Sequence, residues 1–379
     1  MENINLNNEN SKNQEIQQTE EMQADIGIQQ ILPAGAYNIV CSIAAEELAL
    51  ADLIAAEVAK LNRLSGTTLT IDNFRVLSRS IIRNLKFILL KNTILEAKLN
   101  ETLDYIDRAN LTVGSTLENN LIALLNSIAQ EEQQLGLLIN AVGNRVLTLA
   151  PTITFTPVNQ LQAVNEIVLA IMKIITEKNL VLLSKLRTII RFIENNALTL
   201  DATQLAALTT NLIALLTSIN VEENGLSSLI LGEAAKLRRA QALTVVADDI
   251  PRLIAFNNTV TNVVDVVVQK NMILEAKLEE IIELIITFFT TTAAQEPFIA
   301  AITAIQQSIA TEESALAVLI NDEADKLNDI LSILPTVLTP ANILTLIAAN
   351  DSVTNMLESI TLKNMILEQK NLDIINFVL

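Results

Sequence analysis

One pattern recurs four times in this chain of 379 residues, and no other feature limits its fold so tightly. The first copy, SIAAEELALADLIAAEVAKL, begins at Ser42; the second, SIAQEEQQLGLLINAVGNRV, at Ser127. The third, SINVEENGLSSLILGEAAKL, begins at Ser218, and the fourth, SIATEESALAVLINDEADKL, at Ser308. These serines are 85, 91 and 90 residues apart. A second motif follows each copy: KNTILEAKL from Lys91, KNLVLLSKL from Lys178, KNMILEAKL from Lys270 and KNMILEQKN from Lys363. Matched pairs at a fixed period mark a chain built from tandem structural units, each burying its apolar face on its neighbours.

Both motifs lie in long runs with helical periodicity. Eight glycines and seven prolines in the whole chain leave few turns, which favours long helices over many short strands. The run from Asp201 to Leu243 contains no proline; its Gly225 and Gly232 are a modest cost to a helix. The second run opens on Pro157, Pro251 and Pro340 in repeats two to four, and Thr156 and Thr339 stand where an N-cap precedes proline at the first helical position. The expected fold is all-α: four tandem repeats of about 90 residues, each a long antiparallel helical hairpin, packed as bundles or as an α-solenoid. The boundaries expected are a polar, disordered tail over 1–30 and repeats over 31–110, 111–197, 198–291 and 292–379. The tail is rich in Asn, Gln and Glu, too polar to offset its chain entropy by burial. It lacks a basic start followed by an apolar core, so no signal peptide is expected.

Polar residues interrupt the apolar seam at fixed places. A heptad laid on the first motif aligns Ile43, Glu47, Leu50, Ile54, Glu57 and Leu61. Glu132, Glu223 and Glu313 repeat the first glutamate; Glu233 and Glu323 repeat the second, and Val142 breaks that series. In the second motif Ile81, Leu85, Ile88, Asn92, Leu95 and Leu99 align, and Asn179, Asn271 and Asn364 repeat Asn92. A carboxylate and a carboxamide on an apolar seam need partners. One reading has amide and glutamate bonded to each other beside the preceding lysine, locking register as a buried asparagine does in coiled coils. On that reading Asn271→Leu raises thermal stability and scrambles assembly. The other reading is a solvated edge.

Chemistry is constrained by what is missing. With no histidine, nucleophilic triads and imidazole metal sites are excluded. Glutamates on long helices suggest a di-iron bundle, but such a site also takes Glu-x-x-His. There is no Asp-rich loop with a glycine turn for calcium, so neither metal nor cofactor is expected, nor is an enzyme. A net charge of −18 argues against nucleic acid. Charges such as Asp265 and Glu283 break the most apolar windows, so no membrane span is expected. The single cysteine, Cys41, is a small hydrophobe or a candidate intermolecular crosslink.

The strings S-I-A-x-E-E-x-x-L and L-I-x-x-E-x-x-K-L resemble a helical repeat of spore-forming, Bacillus-type bacteria, associated with spore-surface or spore-appendage proteins. The resemblance covers residues 42–379, departing at Val142 and Arg145. It implies a structural role in the mother-cell cytoplasm or deposited on the spore surface, with other spore or coat proteins as partners. The residues themselves favour a self-assembling subunit of a fibre, lattice or coat whose main partner is itself, because near-identical repeats present similar surfaces at both ends. The apolar C-terminus NLDIINFVL, without a polar cap, points the same way. A helical-repeat protein docking a partner helix is the second reading. A membrane-active bundle comes third, since the chain has no basic amphipathic face.

Overall fold

The computed structural model describes residues 34–63, 70–111, 113–152, 159–196, 198 and 200–378. The polar tail and the Thr156–Pro157 cap expected from sequence lie outside them. The described residues form eight helices and no strand. They are α1 (34–63), α2 (Ile71–Arg108), α3 (Ser115–Leu149), α4 (Asn159–Asn195), α5 (Ala202–Leu243), α6 (Ile250–Phe288), α7 (Thr292–Ile333) and α8 (Pro340–Val378).

Local chemistry sets the helix ends. Thr70 Oγ1 accepts from the Asn73 amide at 3.2 Å, and Thr339 Oγ1 from the Asn342 amide at 3.3 Å, ahead of Pro340. Asp201 caps α5 with a full capping box: its carboxylate accepts from the Thr203 and Gln204 amides, and the Gln204 side chain accepts from the Asp201 amide. At the end of α2, Asn110 takes a positive φ of 47°, and the Leu111 amide reaches back to the Ile106 carbonyl at 3.1 Å. That is the Schellman geometry, which asparagine tolerates better than most residues.

The helices stack in two rows. In one row α5 lies between α3 and α7; in the other, α2, α4, α6 and α8 follow one another. From α3 to α8, each helix packs more extensively on its equivalent in a neighbouring repeat than on its own hairpin partner. This is the α-solenoid alternative: one apolar core runs through all four repeats. Glycines bring α3 close against α5. A Cβ on Gly143 would stand 2.6 Å from the Leu229 amide nitrogen, and one on Gly225 would stand 2.7 Å from the Gly136 carbonyl oxygen. Gly225, read from sequence as a small helical penalty, is what allows the two backbones to touch. Among the described residues α5 is the one helix long and apolar enough to cross a membrane. Here it packs between neighbouring helices and buries Glu222, Glu223, Glu233 and Lys236.

Candidate functional site

Polar residues of the two motifs meet at each junction between repeats and form the same buried cluster three times. At the first junction Lys185 donates to Glu47 Oε1 at 2.5 Å and also to the Asn92 side-chain oxygen. The Asn92 amide nitrogen donates to Glu131 at 2.8 Å, and Lys178 pairs with Glu131 at 2.5 Å. Ser127 closes the ring, donating to Glu47 Oε2 at 2.8 Å.

The second junction repeats this with Lys277 on Glu132 (2.5 Å) and on Asn179, Ser218 on Glu132 (3.0 Å), and Lys270 on Glu222. The third has Lys370 on Glu223 (2.9 Å) and on Asn271 (2.6 Å), Ser308 on Glu223, and Lys363 on Glu312 (2.7 Å). Every charged member of the three clusters is buried. Each cluster holds two carboxylates and two ammonium groups, so its formal charge cancels. Burial pushes the carboxyls of Glu47 and Glu223 up and the ammonium groups of Lys178, Lys277 and Lys363 down, while the facing ions oppose the shift. Lys270 is pushed well down, with Lys277 adding to the effect of burial.

A second tier lies along the same faces. At the second junction Lys236 pairs with Glu233 at 2.8 Å and donates to Asn165, whose amide donates to Thr259 at 2.5 Å. At the third, Lys326 pairs with Glu323 at 2.5 Å, and Asn257 donates to Ser352 Oγ at 2.8 Å and to Glu323 at 3.4 Å. At the first junction Val142 and Arg145 replace the Glu and Lys, and Ser78 stands where Asn165 and Asn257 stand in later repeats. Among the described residues its buried hydroxyl has no partner, so both sides of this tier differ together. In the first repeat Glu57 instead takes Lys60 (2.6 Å) and Asn84 (2.7 Å).

The geometry departs from the sequence expectation in three ways. Asn92 and Glu47 do not bond each other; Lys185 joins them, and the amide nitrogen turns to Glu131. Glu47 and Asn92 find their partners, Lys185 and Glu131, in the next repeat, while Lys178 pairs with Glu131 inside its own hairpin. Glu313 and Asn364, the last copies of the series, are exposed. Sequence reasoning missed Lys185, Lys277 and Lys370, the first glutamate of each pair, and the leading serine. All lie inside the repeated motifs, and their recurrence was the available signal. Cys41 is exposed, one residue before Ser42. Outside the seam, carboxylate oxygens of Glu275, Glu279 and Asp373 lie within 4.8 Å of one another; burial and the like charges raise Glu275 and Glu279.

Sequence comparison places this architecture. The alpha-helical endospore appendage domain matches four stretches, residues 36–106, 116–193, 208–285 and 299–378. No match is found among curated protein sequences. One solved structure, a chain from the computational design of self-assembling cyclic protein homooligomers, aligns over 74% of this chain and 98% of its own at 13% identity. Its TM-score is 0.16, too low to bear on the fold. With four matches spread over most of its length, the chain belongs to the alpha-helical endospore appendage domain family.

Proposed function

We propose that this protein is a structural, self-assembling subunit of a spore appendage or related surface fibre, lattice or coat, and not an enzyme. The observation that carries the proposal is the state of the two end faces. A repeat protein that works as a single particle caps its terminal repeats with polar outer faces. Here the terminal repeats keep interior residues at their outer surfaces. Leu53 is 54% exposed, whereas its equivalents Leu138, Leu229 and Leu319 are fully buried. Ile320 is 38% exposed, while Ile54, Ile139 and Ile230 are buried. Phe87 and Ile375 repeat the contrast on the second row, against Ile174 and Val266 and against Leu103, Ile190 and Ile282. The family match supports a place on the spore, with synthesis in the mother-cell cytoplasm and other coat proteins as further partners.

Negative-stain electron microscopy of the purified full chain over a concentration series tests the reading. Extended assemblies with a regular spacing are the expected result; single particles at every concentration would overturn it. The second reading, capture of a partner helix, rests on the open groove between α7 and α8 and takes precedence in that case.

A further inference from the structure

The two ends of the molecule carry the two halves of one more polar cluster. Glu313 and Asn364 are the fourth-repeat equivalents of Glu47 and Asn92, of Glu132 and Asn179, and of Glu223 and Asn271. Those six are buried because a following repeat supplies a serine, a glutamate and two lysines. In the described structure no repeat lies against Glu313 and Asn364; both are exposed along the groove between α7 and α8, which buried Ile309, exposed Ile320 and half-buried Asn371 also line. At the other end, Ser42, Glu46, Lys91 and Lys98 are the first-repeat equivalents of Ser127, Glu131, Lys178 and Lys185. No repeat lies against them among the described residues. Ser42 and Lys98 are exposed, and Lys91 and Lys98, close to half exposed, turn to the partly exposed Glu46.

The second tier is split in the same way. Asn350, the equivalent of Asn165 and Asn257, is exposed on α8. Glu57, Lys60 and Ser80 of the first repeat stand where Glu233, Lys236 and Thr259 stand in the third and Glu323, Lys326 and Ser352 in the fourth. The end faces therefore hold a complete set for both tiers, while the first interior junction has lost its second tier at Ser78, Val142 and Arg145. Ends facing only solvent have no use for that set.

We infer that a second copy of this chain seats its α1–α2 face on the α7–α8 face of the first, with Lys98 entering the groove between Glu313 and Asn364 and with Ser42 and Lys91–Glu46 completing the cluster. Glu57, Lys60 and Ser80 then meet Asn350, and Leu53 and Phe87 cover the apolar surface around Ile320 and Ile375. The contact is head-to-tail and leaves a free face at each end, so it propagates as an open strand. The inference rests on the self-assembly reading and specifies the surface that performs it.

Charge exchange tests it on the full chain. Glu313→Lys and Lys98→Glu each alter an exposed residue, so circular dichroism should show parental helicity in both. Each variant alone is expected to need about a hundredfold higher concentration to assemble, as follows from placing like charges in a buried contact. An equimolar mixture is expected to recover assembly, because each variant's altered face meets the other's and the unaltered faces still match. If either variant alone assembles at the parent's concentration, this surface is overturned while self-assembly stands. If the mixture stays as dispersed as the single variants, the Lys98–Glu313 pairing is overturned. A parent that never assembles defeats the self-assembly reading instead, so the failures are distinguishable.

Discussion

The first and second interior junctions use the same two rows of helices and the same upper cluster, yet fill the second tier with different chemistry. Between repeats two and three, Glu233, Lys236, Asn165 and Thr259 form a buried polar set, and glycines bring α3 and α5 into backbone contact. Between repeats one and two, Val142 is simply buried, and among the described residues Arg145 reaches the Asn62 carbonyl, at 3.4 Å. Stacking therefore survives loss of the second tier. We propose that what the polar set adds is discrimination: a repeat displaced along the seam would strand a lysine or a glutamate in an apolar surround, which costs far more than the aligned pair contributes.

The largest test of this contrast is Lys236→Met. It leaves Glu233 buried without its cation and should cost about 3–5 kcal/mol in urea unfolding. Arg145→Met at the matching place in repeat two should cost under ~1 kcal/mol, since no buried charge is orphaned. Equal losses would mean that the two junctions do not differ as described. Gly143→Ala comes next: its Cβ would meet backbone rather than a flexible side chain, and about 1–3 kcal/mol should be lost.

Asn271→Leu follows. The sequence expectation was a gain in thermal stability, but Asn271 accepts from buried Lys370 and donates to buried Glu312 at 3.3 Å. The geometry reverses the sign, to a loss of about 1–3 kcal/mol in melting experiments. The smallest effect concerns Asp322, whose carboxyl burial raises to about 6, with Arg238 opposing and Asp325 and Glu323 adding. The folded state then holds a proton that the unfolded state has lost between about pH 4 and 6, so this group's contribution falls as pH rises through that window. Asp322→Asn should flatten the slope of stability against pH there, by about 1 kcal/mol after solvent screening. An unchanged slope would assign it to other groups.

The repeats and their helices were legible because an apolar stripe with helical spacing and motifs recurring at intervals of 85 to 93 residues both lie on the surface of the sequence. The cluster was only half legible. Lys185, Lys277 and Lys370 fall beside the stripe, and lysine is rarely wholly buried, so periodicity gave no reason to place them inside. The heptad shows which face of a helix is apolar, but not whether its neighbour is the same hairpin or the next, and that choice decides whether Asn92 meets Glu47 or Glu131. Glu313 and Asn364 are locally indistinguishable from their buried counterparts. Only their place on the outer face of the described stack leaves them exposed.

The peptide backbone crosses each interior junction once, through the short segments 109–114, 196–201 and 289–291. The helices lie side by side across the direction in which repeats succeed one another, so tension along the stack pulls on packed surfaces rather than on helix backbones. An interior junction that opens stays tethered by its connecting segment and can close again. The contact inferred between copies has no such tether. A strand under load would therefore part at every fourth junction and shed pieces of whole chains, with the interior seams behaving as reversible joints and the ends as its fracture planes.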